Sequence, residues 1–230
     1  MVGKMKIAKS IIILIVIPGV ILLNVFLYQN KQYDIISIII AILACLPFFL
    51  TFEKKKPEPK ELVLIAAFTT ITVLSRLIFI PIPGFKPVTA ILIIIGIVFG
   101  KEIGFMVGGL TAILSNVYFG QGPWTPFQMF SWGIIGYLAG MLRNILKGNT
   151  FLILLFGAFS GVLFSLLMDF HSVLMYDNAF RLKRYLAVIG VSLPVTLEYI
   201  ISNMIFLLIF GKPLIAILDR IRIKYHLYQS

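Results

Sequence analysis

Apolar residues occupy most of the chain in runs of membrane length, and short polar segments separate these runs. A run of about 17 to 25 apolar residues is typical of a membrane-spanning helix, because the hydrocarbon core of a bilayer is about 30 Å thick. The pattern predicts eight spans, at about 8–28, 34–52, 61–80, 87–100, 104–119, 127–146, 150–169 and 186–210. We therefore predict an all-α polytopic membrane protein.

A charged segment divides this pattern. The stretch FEKKKPEPKE, residues 52–61, combines dense charge with two prolines that cannot continue a helix. It predicts an N-terminal transmembrane hairpin at 1–52, a charged linker at 53–60 and a six-helix body at 61–230. The start of the chain resembles a signal peptide but lacks a small-residue cleavage pattern, so we expect a retained first helix. Lipid-facing packing explains the apolar hairpin, and we assign it no chemistry.

Composition agrees with the membrane assignment. Apolar residues make up 60% of the chain and charged residues 13%, against roughly 25% charged in soluble domains. The net charge of +11 is the excess of Lys and Arg expected in cytoplasmic loops, and we expect no nucleic-acid partner. Counting these cations by side predicts that both termini lie inside (N-in/C-in). Cys45 lies alone within an apolar run and predicts neither a disulfide nor a metal site.

With this orientation, three loops of the six-helix body face outward and carry the unusual residues. The first loop contains Arg76, Phe85 and Lys86, and the third contains His171 and Tyr176. The inward turns GKEIG and RNILKGNT are brief by comparison. This asymmetry predicts a site that opens to the exterior.

The second outward loop, FGQGPWTPFQMFSWG at 119–133, combines prolines and glycines with aromatic and amide side chains. Proline fixes φ and glycine permits close approach, so we expect a shaped loop. Small-molecule pockets combine aromatic lining with a few placed polar groups. An interfacial tryptophan belt is the alternative, but it leaves the amides and the Pro-Gly framework unexplained. The candidate ligand surface of this loop comprises Phe119, Gln121, Trp124, Phe127 and Gln128.

Polar residues inside predicted spans are further candidates, because lipid exposure of such groups costs several kcal/mol. Asn116 precedes the second loop, and Glu198 and Asn203 lie in the last span. Glu198 is expected either to line the floor of a pocket or to pair with another helix. With the loop residues, these three complete the predicted substrate-binding set.

Two smooth helix faces are also visible. Gly96, Gly100, Gly104, Gly108 and Ala112 recur at a spacing of four, which lets helix backbones approach closely, although Gly100 and Gly104 could instead serve the turn. A second face carries Ala66, Ala67, Thr69 and Thr70. Intramolecular packing and the docking of a partner subunit both need such surfaces.

Enzyme signatures are weak. The sequence contains no HExxH motif, no paired-acid motif and no Walker A loop, and GAFSG at 157–161 lacks a histidine in mid-span to act as base. Any ATP-driven process must therefore take its motor from another chain.

The run from Pro87 to Leu142, with its glycine-rich turn and FGQGPWTP segment, resembles the S components of energy-coupling factor (ECF) vitamin transporters. The resemblance implies a substrate-capture subunit in a prokaryotic cytoplasmic membrane, with no covalently bound cofactor. It implies a complex with a transmembrane coupling protein and two cytoplasmic ATPases, which use the ATP. The family's Ala-x-x-x-Ala docking face would correspond to Ala66, Ala67 and Thr70, although Thr70 departs from that pattern.

Within the family, the second loop is most similar to members proposed to carry corrinoids, so cobalamin is the expected ligand. Flavins, pterins and queuosine precursors would suit an aromatic, glutamine-bearing mouth as well. An autonomous secondary transporter or channel is the alternative function, and an intramembrane enzyme is less favoured.

Overall fold

The computed structural model describes residues 11–16, 19, 59–82, 85–177, 181–225 and 227, and regular structure in these ranges is helical. The predicted all-α class is confirmed for these residues. The predicted N-terminal hairpin and its linker lie outside the described residues, apart from 11–16, 19 and 59–60. The helices of the body are α1 (Pro59–Ile78), α2 (Val88–Phe99), α3 (Lys101–Phe119), α4 (Trp124–Met141), α5 (Arg143–Leu146), α6 (Thr150–Asp177), α7 (Leu182–Phe206) and α8 (Lys212–Lys224). π-Helical turns occupy Ile12–Val16 and Leu207–Gly211.

The membrane class is also confirmed. Four helical segments of the described chain are long and apolar enough to cross a bilayer, namely Pro59–Ile78, Lys101–Phe119, Thr150–Tyr176 and Leu182–Lys224. The short apolar helix α2 occupies the centre of the bundle, with every residue except Ile91 buried. A helix that is apolar on all sides needs such surroundings.

Glycines hold α3 against α4. The backbones of Gly104 and Gly136 are in direct contact, and a Cβ added to Gly108 would lie 2.6 Å from the carbonyl of Trp132. The spacing-of-four glycines therefore serve intramolecular packing. Gly100 instead forms the turn between α2 and α3, where its φ of +94° favours glycine.

The second predicted loop is shorter than the sequence suggested. Only residues 120–123 are non-helical, because α4 already begins at Trp124. The helix thus begins three residues before the span predicted at 127–146, and Phe127 and Gln128, which were also assigned to the loop surface, lie in its first turns. Proline is tolerated in the first turn of a helix, where the backbone N–H has no intrahelical acceptor, so Pro126 does not delay the helix.

The third predicted loop is also mostly helix. Helix α6 continues to Asp177, so His171 and Tyr176 lie on its last turns and not in a loop. Helix α7 begins at Leu182, and the chain stays helical through the second π-helical turn to Lys224. The bundle thus has two ends: the loop end, at residues 120–123, and the Asp219 end, where the α2–α3 turn, α5 and α8 meet.

Candidate functional site

Arg76 organises the polar contacts at the loop end. It lies in the last turn of α1, half-buried, and its guanidinium reaches across to α3. Nη1 donates to Ser115 Oγ at 2.6 Å and to Asn116 Oδ1 at 2.8 Å. A cationic side chain is thereby fixed inside the bundle by two neutral acceptors.

Asn116 extends this network from α3 to α4. Its Nδ2 donates to Thr125 Oγ1 at 3.0 Å and to Gln128 Oε1 at 2.8 Å. Asn116 is 1% exposed and Gln128 7% exposed. A buried amide whose donors and acceptor are all used holds its neighbours in one arrangement, so the three helices α1, α3 and α4 meet at fixed geometry here.

The loop is braced from the same point. Gln121 Nε2 donates to the carbonyl of Ile113 at 2.8 Å, and Thr125 Oγ1 donates to Gln121 Oε1 at 2.9 Å. Gly120 adopts a φ of +97°, which turns the chain out of α3. The glutamines of the loop region thus shape the site through contacts within the protein.

Aromatic rings form a continuous column beside Arg76. The guanidinium carbon lies 4.0 Å from the ring centroid of Phe119 and 5.2 Å from that of Trp132. Trp132 stacks on Phe164 at 5.6 Å with an interplanar angle of 12°, and Phe164 meets Tyr199 edge-on at 5.3 Å. We call these five residues the Arg76 column. It crosses α3, α1, α4, α6 and α7, with Phe119 as its exposed end and Trp132 buried.

His171 supports the loop from α6. Its ring lies 4.8 Å from that of Phe127, and it is hydrogen bonded to the backbone of Pro123. Both side chains are buried. Of the predicted site residues, Arg76, Asn116, Phe119, Gln121, Trp124, Phe127, Gln128 and His171 are brought together at the loop end.

The other predicted site residues are either exposed or held by contacts with different partners. Asn203 Nδ2 donates to the carbonyl of Gly157 at 3.1 Å and so joins α7 to α6. Glu198 is exposed on the outer surface of α7, and Tyr176 is exposed on α6. Phe85 packs against Phe79, with ring centroids 5.0 Å apart. The side chain of Lys86 is exposed, and its backbone N–H donates to Ser202 Oγ.

Five residues of the site were not singled out from the sequence: Ser115, Thr125, Trp132, Phe164 and Tyr199. Each lies within an apolar helix, where a hydroxyl or an aromatic ring is ordinary packing material. Trp132 and Thr125 lie within the stretch 119–133, but only the three-dimensional arrangement shows that they meet residues of α1, α3 and α6.

Two further surfaces bear on function. Ala66, Ala67 and Thr70 are exposed on one face of α1, with Val63 and Ile71 beside them. This leaves a smooth apolar face on the outside of the bundle. No group of three or more His, Cys, Asp or Glu side chains suited to a metal occurs in the part of the chain that the structure describes.

Comparison with known proteins adds two findings. The model of the family described as "ECF-type riboflavin transporter, S component" matches residues 56–220, well over half of the chain. The thiamine precursor transporter HmpT of Lactococcus lactis subsp. cremoris (strain MG1363) is 37% identical over 90 residues, which are 36% of this chain and 54% of that protein. The chain thus spans about half the length of this curated relative. No solved structure matches the chain.

Proposed function

Because the chain belongs to the family of ECF-type riboflavin transporter S components, we propose that it captures a planar heteroaromatic vitamin, or a precursor of one, at the Arg76 column. The S-component expectation is confirmed at the level of the family: the chain belongs to a family of transporter components of the cytoplasmic membrane, not of enzymes, and we propose that it acts as the substrate-capture subunit. The corrinoid expectation gains no support, since the family description names riboflavin and the relative is named for a thiamine precursor.

The Arg76 column is the observation that carries this proposal. Stacked aromatic rings bind flat ring systems through their faces, and a guanidinium supplies directional donors at the edge. The exposed ring of Phe119 marks the side from which a ligand approaches Arg76. A flat ligand of two or three fused rings is closer in width to the single aromatic side chains of the column than a corrin is.

The network around Asn116 gives the site its shape before any ligand arrives. Its hydrogen bonds fix α1, α3 and α4 relative to one another. Pre-organisation reduces the entropy that is lost on binding, which favours high affinity. We place this loop end on the exterior, where a capture subunit meets its ligand.

The partners follow from the same family. An S component associates with an ECF module of a coupling protein and ATPases. We propose that the exposed face of Ala66, Ala67 and Thr70 contacts the coupling protein, because small side chains let two helices approach closely in lipid. ATP is then used by the partner subunits.

A binding assay on the purified chain tests the function. Riboflavin, the neutral pyrimidine precursor of thiamine and cobalamin would each be titrated against the protein in detergent, with equilibrium dialysis as readout. We expect riboflavin or the precursor to bind and cobalamin not to bind. Absence of binding by every vitamin would overturn the proposal, and tight binding of cobalamin alone would restore the corrinoid assignment.

Substitution in the column sharpens this test. Phe119→Ala removes the exposed ring above Arg76, and we expect affinity to fall about ten-fold, the value of one aromatic contact. Trp124→Ala removes a similarly exposed ring that lies outside the column, and we expect a smaller loss with unchanged folding. Equal losses for both variants would show that the column is not the ligand surface.

A further inference from the structure

Arg76 carries a positive charge that no described residue of the protein neutralises. Its hydrogen-bond acceptors, Ser115 Oγ and Asn116 Oδ1, are uncharged, and the rings of Phe119 and Trp132 cover its faces. Within the described ranges, no carboxylate lies in salt-bridge contact with this guanidinium. A cation in a membrane-spanning helix normally pairs with an opposite charge or lines a polar path.

The contrast with Arg222 shows what a paired arginine looks like in the same protein. Arg222 Nη2 lies 3.5 Å from Asp219 Oδ1, and its Nη1 donates to the carbonyl of Val98 at 2.9 Å. Arg76 uses one of its nitrogens for two neutral contacts, while a guanidinium has five N–H donors in a planar fork. Donors and charge therefore remain available for a bound molecule.

We infer that the ligand supplies the missing acceptor: Arg76 selects a flat heteroaromatic ring whose edge carries carbonyl or anionic oxygens, and excludes a ring with a permanent positive charge. This inference rests on the proposed function and deepens it. A carbonyl-rich edge fits the planar donor fork, and a ligand would meet this fork edge-on, because the Phe119 ring already covers the guanidinium carbon at 4.0 Å. A quaternary, cationic ring would stand against an uncompensated like charge in a site of low dielectric.

Asn116 offers a way to supply the counter-charge from within the protein. Asn116→Asp places a carboxylate where Oδ1 now accepts from Arg76. On the α4 side the Gln128 amide can rotate to donate Nε2 to the new carboxylate, and the Thr125 hydroxyl can donate to it by turning its one proton away from Gln121 Oε1. The variant therefore neutralises Arg76 without a change in side-chain size.

The experiment measures ligand affinity and ligand-free melting temperature for the wild type and three variants: Arg76→Lys, Arg76→Gln and Asn116→Asp. The probes are riboflavin, whose ring edge carries two carbonyls, and thiamine, whose thiazolium is permanently cationic. We expect the wild type to bind riboflavin and to reject thiamine. Arg76→Gln should weaken riboflavin binding on the order of 100-fold, and Arg76→Lys should restore only part of it because the fork is lost.

The decisive result is that the melting temperature and the riboflavin affinity change in opposite directions. In Asn116→Asp, the ligand-free melting temperature should rise while riboflavin affinity falls, which a purely structural role for Arg76 would not produce. Joint loss of stability and affinity in Asn116→Asp, or riboflavin affinity unchanged in Arg76→Gln, would overturn the inference while leaving the proposed function intact. Thiamine binding as tight as riboflavin binding would also overturn it. Failure of all vitamins to bind the wild type would remove the proposed function itself.

Discussion

The two ends of the helix bundle treat charge in opposite ways. At the Asp219 end, Lys147 Nζ lies 2.7 Å and Arg222 Nη2 3.5 Å from the carboxylate of Asp219, so opposite charges meet within the protein. At the loop end, the contacts of Arg76 with the described residues are to neutral oxygens and aromatic rings. Cations thus meet a carboxylate at one end of the described structure, whereas Arg76 meets none at the other, where we propose that a ligand supplies the acceptor.

Packing follows the same division. Toward the Asp219 end, glycines bring α2, α3 and α4 into backbone contact, as at Gly96, Gly104 and Gly140. At the loop end, large rings such as Phe119 and Trp124 are exposed. We call the glycine-packed part near the Asp219 end the rigid base, and the polar and aromatic residues of the loop end, around Arg76 and Asn116, the mouth. A binding subunit needs both, because the base keeps the mouth in position.

The largest effect on stability is expected when a side chain is added at the close contact between α3 and α4. A Cβ on Gly104 would lie 2.6 Å from the carbonyl carbon of Gly136, and backbone on both sides leaves little room to shift. We expect Gly104→Ala to reduce the free energy of unfolding by about 3 kcal/mol or more. Thermal unfolding of the purified protein measures this.

Gly109 provides the matched control in the same helix. A Cβ at Gly109 would meet nothing within 4 Å. Gly109→Ala should therefore leave the melting temperature unchanged or raise it slightly, as alanine favours the helix. If Gly104→Ala and Gly109→Ala had the same melting temperature, close contact between α3 and α4 would not be the source of the rigidity of the base.

The sequence allows one half of this comparison to be predicted. Hydrophobic periodicity and the spacing of glycines identify the helices and a face suited to close packing, because both are local patterns, but they do not identify α4 as the helix that meets this face. The true start of α4 was missed, since Gly120, Pro123 and Pro126 resemble a loop although proline is permitted in a first helical turn.

The composition of the site was less accessible. Arg76, Asn116 and Phe119 were identified because polar or aromatic residues are conspicuous at the end of an apolar run. Trp132, Phe164 and Tyr199 could not be recognised, because their stacking joins residues that are 32 and 35 positions apart in the sequence. Nor could the sequence show that Glu198 would be exposed on α7, since that depends on which helices surround it.

An intermediate effect on affinity and stability is expected when a hydrogen bond of the network around Asn116 is removed. Thr125→Val keeps the shape of the side chain but removes the hydroxyl that joins Asn116 to Gln121. We expect ligand affinity to fall about ten-fold and stability by about 1–2 kcal/mol, because the buried amide of Asn116 loses an acceptor and the exposed amide of Gln121 loses a donor. Equilibrium dialysis and thermal unfolding report the two quantities separately.

Thr70→Val is the corresponding control. Thr70 is exposed on α1 and its hydroxyl bonds only to the carbonyl of Ala66, one turn earlier. Loss of this hydroxyl should change neither ligand affinity nor stability appreciably. Equal loss of affinity in both variants would show that the network around Asn116 does not set the geometry of the mouth.

The smallest effect is expected at the Asp219 end. Asp219→Asn removes the charge that Lys147 and Arg222 share, but the side chain of Lys147 is 42% exposed, so water replaces much of the interaction. We expect a loss of about 1 kcal/mol or less, diminished further at high salt, and no change in ligand affinity. Thermal unfolding at two salt concentrations, together with a riboflavin titration, measures this. A fall in affinity as large as that of Thr125→Val would mean that the two ends are coupled through α2, and that charge at one end helps to set the site at the other.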